Sequence, residues 1–345
     1  MDLRIRGRLT GEHSTMKYRT LGHTDLQVST IALGTWSAGG GPWWGETDDR
    51  EAVRAIEASL DAGVNLIDTA PMYGFGHAEE LIGRAIRGRR EQVVIATKCG
   101  LWWRDARGSP WFEHQGRTIY RSLRPDTIQI ELEESLRRLG VDCIDLYQTH
   151  WPSIPPDQTP IADTMACLLK LRDQGKIRAI GVSNVTPAQI EEYLALGPVA
   201  SCQPRYSMLD RRIERDLLPF CREHNIATLV YSPLEQGLLT GRIGMDRTFA
   251  PGEYRNMIPW FRPQNRRRVL DLLEGWRGLC EAHRCTVGQL VLAWTVAQPG
   301  VTCVLVGARK VAHAEENAAA GDLVLSPDEL AQMRRDVELL GEPAT

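Results

Sequence analysis

The sequence predicts an α/β protein built as one closed (β/α)8 barrel, a TIM barrel in a single domain. The chain has 345 residues, and short apolar runs recur eight times along it. Each run is followed by a polar or glycine-rich turn, and most turns lead into a stretch with helical periodicity. Buried parallel strands are short apolar runs, and each needs a crossover helix to reach the next strand. Because no change of composition divides the chain, the repeated units favour one barrel, with a doubly wound open sheet as the alternative.

The elements follow in order from the amino terminus. Residues 18–28, with a turn at 22–25, predict a hairpin that covers the bottom of the barrel. Predicted strands occupy residues 31–34, 65–68, 93–97, 143–148, 179–183, 201–203, 227–231 and 303–306. Predicted helices occupy residues 48–61, 77–86, 125–139, 160–174, 187–196, 215–225 and 287–298. Within 125–139, Leu132, Leu136 and Leu139 have the spacing of a buried helix face.

Three further segments lie outside this repeat. Residues 1–15 lack the apolar region of a secretory signal and predict a disordered leader, so the barrel domain is expected over 16–345. Residues 234–265 form the longest irregular stretch, and loops of that length are usually functional or disordered. After the eighth strand, extra helices are predicted over 312–319 and 327–339, with Ser326 as the N-cap of the second.

Charge and cysteine content limit the classes of function. Lys and Arg number 41 and Asp and Glu 44, a net charge of −3, and the basic residues are spread along the chain, so no nucleic-acid partner is expected. No apolar stretch reaches the roughly 18 residues of a membrane span, so no membrane association is expected either. The eight cysteines form no CxxC pair, which predicts reduced thiols, a cytoplasmic location and no metal site. Nothing in the sequence indicates an oligomeric state.

Four polar side chains follow the second, third and fourth predicted strands. In a barrel of this kind the chemistry lies at the carboxyl ends of the strands. Asp68 ends the second strand, and Tyr73 comes shortly after it. Lys98 follows the third strand and His150 the fourth. A free tyrosine has a pKa of about 10, and a neighbouring cation lowers it. We therefore expect Lys98, held by Asp68, to lower the pKa of Tyr73 so that Tyr73 can donate a proton. His150 would polarise a carbonyl oxygen.

Two glycine-containing segments are candidates for phosphate binding. Gly74-Phe75-Gly76 precedes a predicted helix, but Glu79 stands where a GxGxxG motif needs its third glycine, so a Rossmann site is rejected. The segment beginning at Gly307 follows the eighth strand, where barrels often bind phosphate near a helix N-terminus. Arg309 in that segment suits bidentate phosphate binding, and a solvated basic turn is the alternative interpretation.

Several segments resemble the aldo-keto reductase family. They are DAGVNLIDTAPMYGFGHAEELIG at residues 61–83, IATKCG, DLYQTHWP, GKIRAIGVSN, YSPLEQGLLTG and VGARKVAHAEEN. The resemblance extends from about residue 18 to residue 340. GTWSAGGGPWWG and the QGLLTG loop are most similar to the bacterial branch that includes general-stress and inositol-type dehydrogenases. The resemblance implies an NAD(P)H-dependent oxidoreductase that acts on a C=O or CH–OH group of a small molecule.

The resemblance also implies a role for each matching residue. The catalytic tetrad would be Asp68, Tyr73, Lys98 and His150, with Tyr73 as the general acid. The cofactor contacts would be Thr35, Trp36, Asp68, Ser183, Asn184, Gln203, Tyr231, Ser232, Pro233, Leu234, Gln236, Gly237, Arg242, Gly307, Arg309, His313, Glu316 and Asn317. His313 stands where the family often has Gln, which bears on the contact to a 2′-phosphate. With Arg309 present, NADP(H) is favoured over NAD(H).

Tryptophans beside the strand ends predict the substrate. The residues in question are Trp43, Trp44, Trp102, Trp103 and Trp151, whereas Trp276 and Trp294 lie on helices and predict core positions. Indole faces with polar neighbours suit a small hydroxylated aldehyde, such as an aldose or an oxo-sugar in carbohydrate metabolism. A hydrophobic aldehyde is the alternative. Two other classes stay open: a nicotinamide-sensing regulatory barrel with little turnover, and a barrel hydrolase or lyase that uses Asp68 and a second acid.

Overall fold

A closed barrel of parallel strands forms the centre of the molecule. The computed structural model describes residues 16–344. Its strands, in chain order, are β1 (Tyr18–Thr20), β2 (Gln27–Ser29), β3 (Ile31–Gly34), β4 (Leu66–Asp68), β5 (Val94–Cys99), β6 (Leu101–Trp102), β7 (Ser109–His114), β8 (Arg117–Arg121), β9 (Ile144–Thr149), β10 (Ile177–Ser183), β11 (Ser201–Gln203), β12 (Ala227–Tyr231) and β13 (Cys303–Gly307). The barrel order is β10-β11-β12-β13-β3-β4-β5-β9, and all of its pairs are parallel. The predicted (β/α)8 barrel is confirmed, and the open sheet is excluded because this sheet closes on itself.

Helices surround the barrel and connect most successive strands. They are α1 (Asp49–Asp61), α2 (His77–Ala85), α3 (Pro125–Leu139), α4 (Ile161–Asp173), α5 (Pro187–Leu194), α6 (Leu217–Glu223), α7 (Pro263–Glu274), α8 (Arg277–His283), α9 (Val287–Val296), α10 (Val311–Ala319) and α11 (Pro327–Leu340). Ser326 caps α11 as predicted, and its hydroxyl accepts from the Glu329 backbone N–H in a reciprocal capping box. Among residues 16–344, no helix combines the length and apolar character that crossing a membrane requires.

Apolar side chains pack in two layers, one inside the barrel and one between the strands and the helices. Leu66, Leu146 and Leu229 belong to the inner cluster and are fully buried. The outer cluster is larger and includes Trp276 and Trp294, which are buried as predicted. Burial of this kind stabilises a protein by roughly 25 cal/mol per Å² of apolar surface removed from water. The layers therefore hold the strands rigidly, and their carboxyl ends form a fixed frame for a site.

The predicted hairpin closes the bottom of the barrel. β1 and β2 pair antiparallel, and Leu21, Leu26 and Val28 of this segment pack into the inner cluster. Gly22 makes the turn with a φ of 56°, and a side-chain Cβ there would lie 2.4 Å from the Ala200 carbonyl oxygen. Glycine is required at this position because both the backbone conformation and the close approach exclude a side chain.

Two regions differ from or extend beyond the prediction. A small antiparallel sheet, in the order β6-β8-β7, follows β5 where no strands were predicted. The stretch 234–265 contains short 3-10 turns at Glu235–Thr240, Tyr254–Met257 and Pro259–Phe261, and then α7 begins at Pro263. The predicted leader over residues 1–15 lies outside the described residues.

Candidate active site

The carboxyl ends of the barrel strands surround one large cavity. Its volume is about 1350 Å3, and Asp68, Tyr73 and His150 border it. Every residue predicted to contact the cofactor also borders it: Thr35, Trp36, Asp68, Ser183, Asn184, Gln203, Tyr231, Ser232, Pro233, Leu234, Gln236, Gly237, Arg242, Gly307, Arg309, His313, Glu316 and Asn317. The cavity is therefore long enough to connect the candidate catalytic residues with the basic segment after β13.

Lys98 links Asp68 to Tyr73 at the floor of the cavity. Its side chain is fully buried, and Nζ donates to Asp68 Oδ1 at 2.6 Å and to the Thr69 carbonyl at 2.8 Å. The same Nζ lies 3.4 Å from the Tyr73 hydroxyl. Because Asp68 ends β4 and Lys98 lies in the neighbouring β5, strand pairing alone brings these groups together. The predicted cluster is thus assembled by the barrel register.

The second carboxylate oxygen of Asp68 also accepts hydrogen bonds. Asp68 Oδ2 accepts from Gln203 Nε2 at 2.8 Å and from Gln148 Nε2 at 3.2 Å. Both glutamines are buried. Gln148 was not among the predicted site residues, although its position one residue before the end of β9 was a usable signal. The three side-chain donors, those of Lys98, Gln203 and Gln148, fix the orientation of the Asp68 carboxylate.

The electrostatics of the tyrosine differ from the prediction. Burial, and after it the negative charge of Asp68, raises the pKa of Tyr73 well above its ordinary value. This direction is opposite to the expected lowering by Lys98, whose charge is paired with Asp68 at 2.6 Å. Burial lowers the pKa of Lys98, although the charge and hydrogen bond of Asp68 oppose that shift. Tyr73 is consequently a neutral phenol that retains its proton at neutral pH.

His150 faces Tyr73 across the cavity as a neutral imidazole. The two ring centroids are 5.9 Å apart in an edge-on arrangement. Burial, together with the charge of Lys98, lowers the pKa of His150 well below its usual range. A neutral imidazole can donate one N–H bond to a carbonyl oxygen without competing for the phenolic proton. The geometry brings two hydrogen-bond donors, Tyr73 and His150, to one point.

Amide and phenol groups form a connected patch beside His150. Asn184, with a φ of 58°, donates through Nδ2 to the His150 carbonyl at 2.9 Å and to Ser183 Oγ at 3.0 Å. The Tyr231 hydroxyl donates to Asn184 Oδ1 at 2.9 Å, which leaves the tyrosine ring beside the cavity. Amides at fixed positions next to an aromatic ring suit a flat ring that carries a carboxamide.

The far end of the cavity carries positive charge. Arg242, Arg255 and Arg309 all border it. Arg242 pairs with Glu316 at 2.8 Å. Arg309 donates to the Trp44 carbonyl at 3.0 Å and forms no ion pair with any residue in 16–344. An unpaired guanidinium beside a helix N-terminus, here that of α10, favours an anionic group such as phosphate.

Two buried polar atoms in the cavity lining test whether a nucleotide cofactor fits. Within the described part of the chain, neither Gln236 Oε1 nor Trp44 Nε1 has a hydrogen-bond partner. The first is an acceptor and the second a donor, so a ligand with both hydroxyl and phosphate oxygens satisfies them. A nicotinamide nucleotide has these groups, and the cavity of about 1350 Å3 is lined from Tyr73 to Asn317. No group of His, Cys, Asp or Glu within 16–344 is arranged to hold a metal ion.

The predicted tryptophan wall is only partly present. Trp43, Trp44 and Trp151 border the cavity, but Trp102 and Trp103 do not. Trp102 is buried in the small sheet, where its Nε1 donates to Asp105 at 2.8 Å. Trp103 packs instead against Phe75, with ring centroids 5.1 Å apart. Trp102 and Trp103 therefore do not belong to the lining of the cavity, where the sequence had placed them.

Trp111 is the wall residue that the sequence analysis missed. It borders the cavity and lies 5.0 Å from Trp151, measured between ring centroids. The Arg121 guanidinium lies 4.0 Å from the Trp111 ring and 4.9 Å from the Trp151 ring. This cation–π contact fixes two indoles next to His150.

Comparison with known proteins assigns the chain to a family. The model of the Aldo/keto reductase family matches residues 30–337, almost the whole barrel. The chain belongs to the aldo/keto reductase family. Members of this family are oxidoreductases that use a nicotinamide cofactor, and the predicted resemblance is confirmed.

Three relatives illustrate the similarity. The NADH-specific methylglyoxal reductase of Escherichia coli (strain K12) is 45% identical over 94% of this chain and 99% of its own length. The structure of the glycerol dehydrogenase AKR11B4 from Gluconobacter oxydans covers 97% of this chain and 98% of its own, with 37% identity and a TM-score of 0.83. The structure of an aldo-keto reductase from Klebsiella pneumoniae in complex with NADPH covers 96% of this chain and 97% of its own, with 30% identity and a TM-score of 0.69.

Proposed function

We propose that this reductase uses NADPH to reduce a small, oxygen-rich aldehyde, with Tyr73 as the proton donor. The observation that carries the proposal is the chain of contacts from Asp68 through Lys98 to the Tyr73 hydroxyl, which opens onto the nucleotide-sized cavity. When bound, the nicotinamide supplies a hydride to the carbonyl carbon. The protein then needs only to hold the reactants and to deliver one proton to the carbonyl oxygen.

The described residues divide this task between them. Tyr73 is neutral and provides the proton, and the loss of that proton leaves a phenolate beside Lys98 Nζ, 3.4 Å away. The lysine charge is close enough to stabilise that phenolate, while Asp68 keeps the lysine oriented. His150, also neutral, provides a second hydrogen bond to the same oxygen. Positioned acid catalysis of this kind contributes about 10²–10⁴-fold to the rate.

The preference for NADPH is supported by the charges at the far end of the cavity. Arg309 has no acidic partner within residues 16–344, so its guanidinium is available for a 2′-phosphate. The Klebsiella relative binds NADPH, whereas the Escherichia coli relative is NADH-specific, so the family resemblance alone does not decide the choice. A charge-assisted hydrogen bond is worth about 1.5–3 kcal/mol, so Arg309→Ala is expected to weaken NADPH binding roughly ten- to a hundredfold. NADH binding is expected to change little, and equal losses would contradict the assignment.

The substrate class is supported by the lining of the catalytic end and by the names of two relatives. Trp43, Trp111 and Trp151 provide apolar faces, and Glu113 adds a carboxylate to the same lining. A compound with several oxygens on a short carbon chain matches this mixture. The relatives named a methylglyoxal reductase and a glycerol dehydrogenase act on three-carbon compounds of that kind.

The test is consumption of NADPH with matched carbonyl compounds. Glyceraldehyde, methylglyoxal, an aldose and a long-chain aldehyde should be compared at the same cofactor concentration. The oxygenated compounds are expected to be reduced with the highest kcat/KM, and Tyr73→Phe is expected to bind NADPH normally but to lose most turnover. A higher kcat/KM for the long-chain aldehyde would favour a hydrophobic substrate. Tight NADPH binding without turnover on any compound would favour the regulatory-barrel alternative.

A further inference from the structure

The loop after β12 has a strained backbone. Ser232, Glu235 and Gln236 have φ angles of 62°, 43° and 51°, and Gly237 has a φ of 96°. Residues other than glycine seldom adopt this left-handed region, and they persist there only where surrounding contacts hold them. Ser232, Gln236 and Gly237 border the cavity, so the strained conformation shapes the part of the site assigned to the cofactor phosphates.

Glu235 itself does not border the cavity, and its side chain is buried behind the cavity lining against Arg205, which does border it. Its side chain has no exposed surface. One carboxylate oxygen accepts from Arg205 Nη2 at 2.5 Å and the other from Ser207 Oγ at 2.6 Å. Burial raises the pKa of Glu235, and the positive charge of Arg205 opposes that shift. A buried carboxylate with two short contacts is held in one position.

The partners of Glu235 lie on a different loop, the one after β11. Arg205 forms a parallel backbone bridge with Tyr231, the last residue of β12. Ser207 Oγ accepts from the backbone N–H groups of Leu209 and Asp210, both at 3.1 Å, so the serine is itself anchored. Glu235 therefore ties the strained loop to the anchored loop after β11, whose Arg205 also borders the cavity.

We infer that Glu235 is a positioning residue for the cofactor: its buried contacts with Arg205 and Ser207 hold the loop over residues 232–237 in the conformation that binds the phosphates. This inference rests on the proposed placement of the cofactor along that loop. Loss of the contact would let the loop relax toward ordinary backbone angles, and the cofactor would then have to restore the strained conformation on binding. Affinity for the cofactor falls in that case, while the distant Tyr73, Lys98 and His150 keep their geometry.

The role is tested with two variants and a matched control. Glu235→Gln keeps the shape of the side chain but removes the charge that faces Arg205. Ser207→Ala removes the other contact with a smaller change and serves if Glu235→Gln folds poorly. Asp145→Asn is the control, because Asp145 is also a buried carboxylate with arginine partners, Arg90 at 2.7 Å and Arg178 at 2.9 Å. Asp145 is near the start of β9, at the opposite end of the barrel from the cavity.

The measurement is the dissociation constant of NADPH and of NADH by isothermal titration calorimetry, together with the thermal midpoint and steady-state kinetics. Glu235→Gln is expected to raise the Kd of both nucleotides by a similar factor, about tenfold to a hundredfold, because the pyrophosphate is common to them. Ser207→Ala is expected to raise both by a smaller factor. The kcat at saturating NADPH should stay within about twofold of the wild-type value.

The outcomes separate this inference from the proposed function. Binding of either nucleotide by the wild-type protein tests the proposed cofactor site, and its absence would overturn both proposals. Wild-type Kd values in Glu235→Gln and Ser207→Ala would overturn the positioning role alone. The positioning role would also be overturned if Asp145→Asn weakened nucleotide binding as much as Glu235→Gln, because the weaker binding would then reflect a general loss of stability.

Discussion

Replacing Lys98 with methionine separates the stabilising and catalytic roles of the buried ion pair. Methionine has a similar length but no charge, so Asp68, which is 3% exposed, would keep only the amide donors of Gln203 and Gln148. Leaving one partner of a buried pair uncompensated costs about 3–5 kcal/mol of folding free energy. The loss of the cation beside Tyr73 is expected to lower kcat by about 10²–10⁴-fold, the range for a general acid without its support.

The double variant Asp68→Asn, Lys98→Met provides the control. It removes both charges, so the buried site is again neutral, and its free energy of unfolding should exceed that of Lys98→Met alone. Turnover should nevertheless stay low, because the phenolate of Tyr73 would still lack a cation. Urea-induced unfolding measures the first quantity, and NADPH oxidation with a fixed aldehyde measures the second. Near wild-type kcat in Lys98→Met, or no recovery of stability in the double variant, would refute this reasoning.

Three further predictions concern the proton donor and the aromatic wall. Because burial raises the pKa of Tyr73, the neutral proton donor persists into alkaline solution, and kcat for reduction should stay level from neutral pH upward. The kcat for oxidation, which needs the phenolate, should keep rising with pH. A fall in the kcat for reduction just above neutrality would contradict this prediction. Trp151→Ala should raise the KM for a sugar aldehyde and leave the KM for a minimal aldehyde nearly unchanged. Trp102→Phe should change only the unfolding midpoint, because Trp102 is buried away from the cavity lining, and a change of KM in this variant would contradict that position. Arg121→Met should release Trp111 and Trp151 and raise KM for the sugar aldehyde at constant kcat in steady-state assays, and an unchanged KM would show that the indoles hold their own positions.

The sequence was informative where burial and strand order determine the structure. Apolar runs such as 65–68 and 227–231 are almost wholly buried, as strands of a parallel sheet covered by helices are, so they predict an α/β sheet directly, and the eight repeats favour the barrel. The barrel in turn brings Asp68 and Lys98 together, because the ends of adjacent parallel strands meet. Site residues on strand ends were therefore within reach of sequence reasoning.

Residues on the loops were harder to place. β7 contains Pro110 and Trp111 and lacks the regular alternation of a half-buried strand, so the small sheet was not predicted. In a strand, a shift of one residue turns a side chain to the opposite face, and the pair Trp102-Trp103 carried no indication of register. Glu235 was missed for a related reason. Its partner Arg205 lies on another loop, and no local sequence pattern predicts the ion pair between them.

The position of Lys98 has a consequence for the chemical durability of the enzyme. Free amines attack aldehydes to form imines, so an accessible lysine beside a reactive carbonyl compound would be converted to an imine. The Lys98 side chain has no exposed surface, and its three N–H bonds are directed to Asp68, Thr69 and Tyr73. A protonated nitrogen with all of its hydrogens engaged has no lone pair for nucleophilic attack. An aldehyde in the cavity meets the phenol of Tyr73 instead, so the same three contacts that orient the cation also protect it from covalent modification.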